Sequence, residues 1–172
     1  MSTKRIVVYP GSFDPIHYGH LDVIERSCSI FDEVVVAVLS NTSKQPLFSV
    51  DERVDMIGEL LADADNCRVE TFSGLLVDFM RSIGARTSIR GLRAVSDFES
   101  EFQMALMNRR LDSQVDTVFL TSKEDYSYLS SRLVKEVFLL GGSLDGLVPP
   151  PVWHRMQEQF PARPDGSRER PR

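Results

Sequence analysis

The chain has 172 residues, 42% of them hydrophobic, which suits one globular domain with a full core and leaves no room for a second catalytic domain. Its formal net charge of −5 argues against a surface built for polynucleotide, because such proteins usually carry a basic face. Cys28 and Cys67 are isolated from each other and from the histidines, so neither a Cys-x-x-Cys metal knuckle nor a disulfide framework is indicated. With no apolar run near the roughly 20 residues that span a bilayer and no signal-peptide core, we expect a cytoplasmic protein.

Apolar runs of strand length alternate along the chain with longer segments of helical period. This alternation predicts an α/β fold, a single Rossmann-like, doubly wound parallel sheet of five strands with helices on both faces. The predicted strands cover residues 6–9, 33–39, 68–72, 87–90 and 117–120, and the predicted helices cover residues 21–31, 50–62, 75–83, 96–111, 130–140 and 152–160. Residues 1–160 are expected to form the one domain, whereas residues 161–172 are rich in Pro, Arg and Gly and are predicted to be a disordered tail.

The segment that joins the first strand to the first helix, residues 9–20, is the most informative part of the sequence. Gly11 and Gly19 allow a ligand to approach the backbone where a side chain would block it. His17 and His20 arrive where a helix presents free N–H groups. Together these features indicate a turn that binds phosphate.

Three further segments carry basic and hydroxyl side chains directly after a predicted strand. Lys44 follows the second strand, residues 90–93 follow the fourth and residues 126–131 follow the fifth. Ligands of a doubly wound sheet bind beyond the carboxyl ends of the strands, near the point where the strand order reverses. We therefore expect all four segments to converge on one crevice.

In this order and spacing, the segments resemble those of bacterial phosphopantetheine adenylyltransferases, a family of the H-x-G-H nucleotidyltransferase superfamily. The superfamily signature corresponds to His17-Tyr18-Gly19-His20. The segment Arg90-Gly91-Leu92-Arg93 is more specific, because it separates this family from its nicotinate and glycerol-phosphate relatives. The likeness extends from about residue 4 to about residue 152, and it also rests on residues 43–48, 97–99 and 126–136.

The resemblance implies an enzyme that transfers AMP from ATP to 4′-phosphopantetheine, giving dephospho-coenzyme A and pyrophosphate in coenzyme A biosynthesis. A phosphate monoester has a second pKa of about 6, so at neutral pH it can attack the α-phosphorus directly, with neither a protein base nor a covalent enzyme intermediate. Alignment of two reactants can remove roughly 7–11 kcal/mol of the barrier, and one donor aimed at developing charge contributes about 3–4 kcal/mol. Positioning and neutralisation therefore suffice for this reaction.

The resemblance also implies roles for individual residues. His20 donates to the α-phosphate, Lys44 binds the phosphate of phosphopantetheine, and Arg93 completes the expected catalytic set. The expected contacts to phosphopantetheine are Ser12, Lys44, Leu76 and Arg90. The expected contacts to ATP are Ser12, Phe13, His20, Gly91, Leu92, Arg93, Glu101, Tyr126, Ser127, Tyr128, Leu129, Ser130, Ser131 and Arg132.

Several of these positions have a second interpretation. His17 either orients phosphate or packs against the turn, and many family members have threonine there. Leu76 either contacts the pantetheine arm or belongs to the core, and Glu101 is either a nucleotide contact or a surface residue. Arg132 stands where the family commonly has a small hydroxyl residue, so it either adds a phosphate contact or points into solvent.

The resemblance further implies Mg²⁺ delivered with ATP and a homohexamer. The acidic net charge and the lack of a long apolar run predict no nucleic-acid or membrane partner. A zinc site built from His17 and His20 is a competing interpretation, but no third or fourth ligand is evident and no dedicated metal site is expected. One alternative is an adenylyltransferase or cytidylyltransferase for another small phosphate. An aminoacyl-tRNA synthetase is a second, but this short acidic chain has no room for an RNA-binding domain. A third is a regulator that binds nucleotide without turnover.

Overall fold

The computed structural model describes residues 4–40, 46–93, 95–162 and 168, and its α/β fold confirms the fold class predicted from the sequence. The five strands are β1 (Ile6–Gly11), β2 (Glu33–Leu39), β3 (Cys67–Phe72), β4 (Thr87–Leu92) and β5 (Asp116–Thr121). The helices are α1 (Tyr18–Ile30), α2 (Val50–Leu60), α3 (Leu76–Ser82), α4 (Val95–Leu111), α5 (Ser131–Leu139) and α6 (Pro150–Gln159), with a 3₁₀ turn at Glu124–Tyr126.

All five strands run parallel in the order β3-β2-β1-β4-β5. The chain moves outward from β1 through β2 to β3 and then crosses back to the other side of β1. The strand order therefore reverses between β1 and β4, where Val7 of β1 pairs with Val34 on one side and with Thr87 on the other. A crevice forms at such a reversal, at the carboxyl ends of the strands.

The two central strands are buried because helices cover both faces of the sheet. Val7 and Val8 of β1 and the run from Val34 to Val38 of β2 have no exposed surface. This burial on both faces explains why β2 is continuously apolar rather than alternating. The larger part of the core contains residues of α1, α2, α5 and α6, and a smaller cluster on the other face contains residues of α3.

The start of α1 differs from the sequence prediction in a way that matters for the site. The helix begins at Tyr18 rather than at residue 21, with His17 as its N-cap residue. The ring of His20 accepts a hydrogen bond from the backbone N–H of His17, which satisfies a donor at the helix start. His20 therefore lies within the first turn, not ahead of the helix. The start of α2 agrees with its sequence signal, since Ser49 and Glu52 form a reciprocal capping box.

The two cysteines are neighbours, so the prediction that they are isolated from each other is wrong. Cys28 of α1 and Cys67 of β3 are free thiols that lie near each other in the fold. Burial raises the pKa of Cys67 to about 12, and the nearby Cys28 contributes in the same direction. Spacing along the chain gave no sign of this contact, because α1 and β3 meet only through the fold.

The predicted disorder of residues 161–172 stays a prediction, because Pro161, Ala162 and Arg168 are the residues of this tail within the described part. Arg168 packs with its guanidinium carbon 4.3 Å from the centre of the Phe138 ring, and its backbone N–H donates to the carbonyl of Leu139. Among the described residues, no helix is both long and apolar enough to cross a membrane.

Candidate active site

A cleft of about 1120 Å³ opens at the carboxyl end of the sheet, where the strand order reverses. Its walls come from the ends of β1 and β4, the segments after β2 and β3, and the facing sides of α4 and α5. The predicted site residues that line it are Ser12, Leu76, Arg90, Glu101, Ser131 and Arg132. Lys44, the predicted ligand of the phosphopantetheine phosphate, lies outside the described residues. Pro46 and Leu47, just after it in the chain, line the cleft.

The turn after β1 is tightly built around one buried ring. Phe13 has a φ of +47°, in the left-handed region, and its side chain is 1% exposed. A Cβ atom on Gly11 would lie 2.8 Å from the Phe13 ring, so only glycine fits at that position. The peptide bond between Asp14 and Pro15 is cis. Beside the buried ring, Ser12 is exposed at the surface of the cleft.

Two stacked imidazole rings follow this turn. The rings of His17 and His20 are 3.7 Å apart between centroids, and the backbone N–H of His17 donates to Nδ1 of His20 at 3.3 Å. Because Nδ1 accepts this bond, we assign the proton of the neutral His20 ring to Nε2. His20 consequently has one N–H donor that its own helix does not use.

Both imidazoles are held in the neutral state. Burial, assisted by the charge of Arg93, lowers the pKa of His17 to about 3. Burial also keeps the pKa of His20 well below its ordinary value of 6.5, and His17, Arg93 and Arg90 act in the same direction. At physiological pH, His20 is therefore a neutral hydrogen-bond donor and not a cation.

Arg90 is held in the cleft by a fork of hydrogen bonds. Its Nε and Nη2 donate to the two carboxylate oxygens of Glu101 at 2.5 and 2.6 Å, and its Nη1 donates to the carbonyl of Pro10 at 2.8 Å. Burial acts to lower the pKa of Arg90, but the bonds and charge of Glu101 outweigh it and leave the pKa raised. The guanidinium stays charged and fixed in direction, as a phosphate ligand requires.

Arg93 joins the end of β4 to the segment after β5. Its Nε donates to Asp97 at 2.8 Å, and its Nη1 donates to the carbonyl of Leu129 at 2.7 Å. Beside it, the ring of Tyr126 stacks on that of Tyr18 at 6.0 Å, next to the start of α1. The predicted nucleotide segments therefore surround the first turn of α1.

The start of α5 faces the same turn. The hydroxyl of Ser130 accepts the backbone N–H of Leu133 and caps the helix, and the hydroxyl of Ser131 donates to the carbonyl of Pro15 at 2.9 Å. Leu129 is fully buried, which makes it part of the core as well as of this segment, whereas Tyr128 is 60% exposed. The side chain of Arg132 is exposed on the wall of the cleft.

Sequence reasoning missed three polar residues of this site. Asp14 is buried in the turn, and Arg53 of α2 is buried beneath it and donates to the carbonyl of Ser12 at 2.6 Å. Asn108 of α4 is only 7% exposed and lines the inner end of the cleft. The aspartate stands inside the turn motif and could have been considered, whereas nothing near the arginine or the asparagine in the sequence marks them.

The inner end of the cleft is polar. The hydroxyls of Ser88 and Thr117 lie 2.9 Å apart, and both residues line the cleft together with Asn108. Leu76 and Leu111 supply apolar surface to the same cleft. Within the described ranges, no group of three histidine, cysteine, aspartate or glutamate side chains stands close enough together to bind a metal ion.

Comparison with known proteins shows which family this chain is similar to. Residues 8–137 match the cytidylyltransferase-like family model. The chain is 57% identical over 155 residues to a phosphopantetheine adenylyltransferase of Heliobacterium modesticaldum, an alignment that covers 90% of this chain and 92% of the relative. It is 56% identical over 165 residues to the phosphopantetheine adenylyltransferase of Geobacter sulfurreducens, covering 96% of this chain and 99% of the relative.

Among solved structures, the fold is similar to that of a Vibrio parahaemolyticus protein assigned as a nicotinate-nucleotide adenylyltransferase. The TM-score is 0.64, and the match covers 90% of this chain and 99% of that one. The identity is 15%, so this likeness bears on the fold alone.

Proposed function

Because this chain belongs to the phosphopantetheine adenylyltransferase family, we propose that its cleft holds ATP and 4′-phosphopantetheine in line for direct transfer of the adenylyl group. The activity itself is that of the family, a step in coenzyme A biosynthesis. The observation that carries the proposed geometry is the closeness of the neutral donor His20 to the charges of Arg93 and Arg90, beside a backbone segment to which Arg90 and Ser131 of α5 also donate hydrogen bonds.

The chemical step needs little from the protein beyond alignment. The phosphate of 4′-phosphopantetheine is mostly a dianion at neutral pH, and one of its oxygens attacks the α-phosphorus while pyrophosphate leaves. The Nε2–H of His20 donates to an oxygen of the α-phosphate, whose negative charge builds in the transition state. A neutral imidazole serves here because a donor bond, and no proton transfer, is required.

The acceptor half of the site is proposed to use Lys44 and Arg90 for the phosphate of phosphopantetheine. Arg90 is aimed by Glu101 and Pro10, so its orientation does not depend on substrate. Leu76 would contact the apolar part of the pantetheine arm, and the polar inner end of the cleft at Asn108 suits its amide groups.

The nucleotide half is proposed to lie around the start of α1. Arg93 and the helix N-termini supply positive potential for the phosphates of ATP. Tyr126 offers a ring face for adenine. Glu101, which bonds to Arg90, is also proposed to contact the nucleotide. The complete proposed set for ATP is Ser12, Phe13, His20, Gly91, Leu92, Arg93, Glu101, Tyr126, Ser127, Tyr128, Leu129, Ser130, Ser131 and Arg132.

Mg²⁺ is proposed to enter as part of the ATP complex and to neutralise charge on the pyrophosphate that leaves. Of the carboxylates that line the cleft, Asp14 bonds to Lys135 and Glu101 bonds to Arg90. The phosphate oxygens of ATP are the proposed ligands of the metal ion.

A homohexamer in the cytoplasm is the proposed state of the enzyme. The support from this chain is one face of α4, where Phe98, Phe102 and Leu106, spaced four residues apart, are exposed, while the exposed Met104, Met107 and Leu111 line the cleft. Such a face is typical of a contact between subunits. Light scattering coupled to size-exclusion chromatography tests this, with Leu106→Glu expected to give smaller particles.

The proposed function is tested by pyrophosphate release from ATP and Mg²⁺ with 4′-phosphopantetheine, compared with nicotinamide mononucleotide and glycerol phosphate as acceptors. Release with 4′-phosphopantetheine alone is expected, and it should be lost in His20→Ala. Release with another acceptor would contradict the substrate assignment. Binding of ATP without release from any acceptor would favour a nucleotide-binding regulator instead.

A further inference from the structure

The carboxylate of Asp14 is a buried charge in the phosphate-binding turn that the proposed chemistry does not use. The residue is 5% exposed. Its Oδ1 accepts the backbone N–H groups of Leu47 and Phe48 at 3.0 and 2.9 Å, and its Oδ2 accepts Nζ of Lys135 at 2.8 Å. With donors on both oxygens, this carboxylate joins the turn to the segment after β2 and to α5.

Two further hydrogen bonds join the turn to α5 and to α2. The carbonyl of Pro15 accepts the hydroxyl of Ser131, and the carbonyl of Ser12 accepts Nη1 of Arg53. Arg53 is also close enough for its charge to interact with that of Asp14. The turn is consequently fixed between α2 and α5, and the carboxylate of Asp14 forms bonds on both sides.

The parts that Asp14 joins belong to opposite halves of the proposed site. Leu47 follows Lys44, the proposed ligand of the phosphopantetheine phosphate, by three residues. Ser131 lies near the end of the segment proposed for ATP, and Lys135 follows it by one helical turn of α5. Lys135 also lines the cleft and is partly exposed, so it connects the carboxylate to the surface where the reactants meet.

We infer that the ion pair between Asp14 and Lys135 positions the two substrate half-sites relative to each other. The inference rests on the proposed function, and both residues are positioning residues that act through the segments they join. In-line transfer depends on alignment, and a misplacement of about 1 Å can cost roughly 100-fold in rate. A change in either partner should therefore lower kcat more than it weakens the binding of either substrate.

Two alternative roles for the ion pair would give different kinetic results. If Lys135 contacts ATP directly, its removal raises the KM for ATP and the loss of Asp14 matters less. If the pair serves stability alone, the melting temperature falls while kcat and both KM values stay the same. A double-mutant cycle separates these cases. If the two residues act only through their ion pair, either single variant loses its contribution to kcat, and the double variant loses no more.

The test uses the full-length enzyme with Lys135→Met, Asp14→Asn and the double variant, with pyrophosphate release and melting temperature measured for each. Lys135→Met should lower kcat by roughly 10- to 100-fold, the double variant should be no slower than the slower single variant, and Lys135→Arg should recover most of the activity. The matched control is Lys4→Met, which breaks a 2.6 Å pair with Glu33 at the opposite, amino end of the strands and should keep full kcat.

The inference is overturned if Lys135→Met keeps kcat within about twofold of the wild type, or if the losses of the single variants multiply in the double variant. A rise confined to the KM for ATP overturns it as well. If Asp14→Asn fails to fold, Lys135→Met and Lys135→Arg still test the inference, because the side chain of Lys135 is partly exposed and its replacement should be tolerated. An inactive wild-type enzyme would instead refute the proposed function.

Discussion

The site consists of two regions that differ in how far the protein itself satisfies their polar groups. In the inner region, residues 12–20 with Arg53 and Lys135, the polar side chains other than that of Ser12 are buried or partly buried, and most are bonded within the chain. In the outer region, Tyr126, Tyr128 and Arg132 are partly or largely exposed, and Tyr128 exposes 60% of its surface. We call these regions the frame and the rim.

The difference indicates a division of work. Most hydrogen bonds of the frame are formed without a ligand, so it can align reacting groups at little further cost in ordering when substrate binds. The rim has side chains whose contacts remain to be made, which suits the binding of a nucleotide. Changes in the frame should therefore reduce kcat or stability, and changes in the rim should mainly raise KM.

The largest effect is expected at His20, the frame residue proposed to donate to the reacting phosphate. His20→Ala should lower kcat by roughly 10²- to 10³-fold with a small change in either KM, because the lost bond forms mainly in the transition state. Steady-state kinetics measure this, with the exposed His154→Ala as a control expected to keep full activity. A large rise in KM at unchanged kcat would assign His20 to the rim.

A change beneath the turn should appear as lost stability. Arg53→Met removes donors from the carbonyls of Ser12 and Phe48, which should lower the free energy of unfolding by about 2–4 kcal/mol. Denaturant titration gives the value. Arg155→Met, which breaks an exposed 3.4 Å pair with Glu59, should cost less than about 1 kcal/mol. Equal losses in the two variants would mean that the frame is no more rigid than the surface.

Acid should weaken the frame through His17. Its pKa of about 3 in the folded chain lies below the ordinary 6.5, so the unfolded chain binds the extra proton between these values. The free energy of unfolding should therefore fall as pH drops below 6.5, by up to about 1.4 kcal/mol per pH unit from this residue. His17→Asn should show a shallower fall, and a slope identical to the wild type would refute the assignment.

The smallest effect is expected at the rim. Tyr126→Ala should raise the KM for ATP by roughly tenfold and leave kcat nearly unchanged, because a lost stacking surface weakens ground state and transition state alike. Tyr126→Phe keeps the ring and should bind ATP as the wild type does. If Tyr126→Ala lowered kcat by as much as His20→Ala, the division into frame and rim would fail.

Much of the fold and the location of the site were predictable from the sequence. The continuous apolar run of β2 predicted a strand buried on both faces. The segments predicted to follow β1, β4 and β5 lie at the carboxyl end of the sheet, although Arg90, Gly91 and Leu92 are the last residues of β4 and not a segment after it. Both predictions depend on local patterns of a few residues. The individual contacts of the predicted residues with substrates stay predictions, and Lys44 lies outside the described residues.

The frame could not be predicted in the same way, because it depends on contacts between distant parts of the chain. Lys135 and Asp14 are 121 residues apart, and Arg53 reaches Ser12 across 41 residues. The early start of α1 was missed because histidine is not among the preferred N-cap residues. Local periodicity carries no information on which buried side chains of two distant elements will meet.

The most direct test of the account measures the ring of His20 itself by nitrogen-15 NMR of histidine-labelled enzyme between about pH 5 and 8. A neutral ring is expected throughout that range, with its proton on Nε2, since Nδ1 accepts the N–H of His17 and the pKa is held well below 6.5. A ring that titrates near 6.5, or that carries its proton on Nδ1, would contradict the claim that the frame holds a neutral donor ready for the α-phosphate.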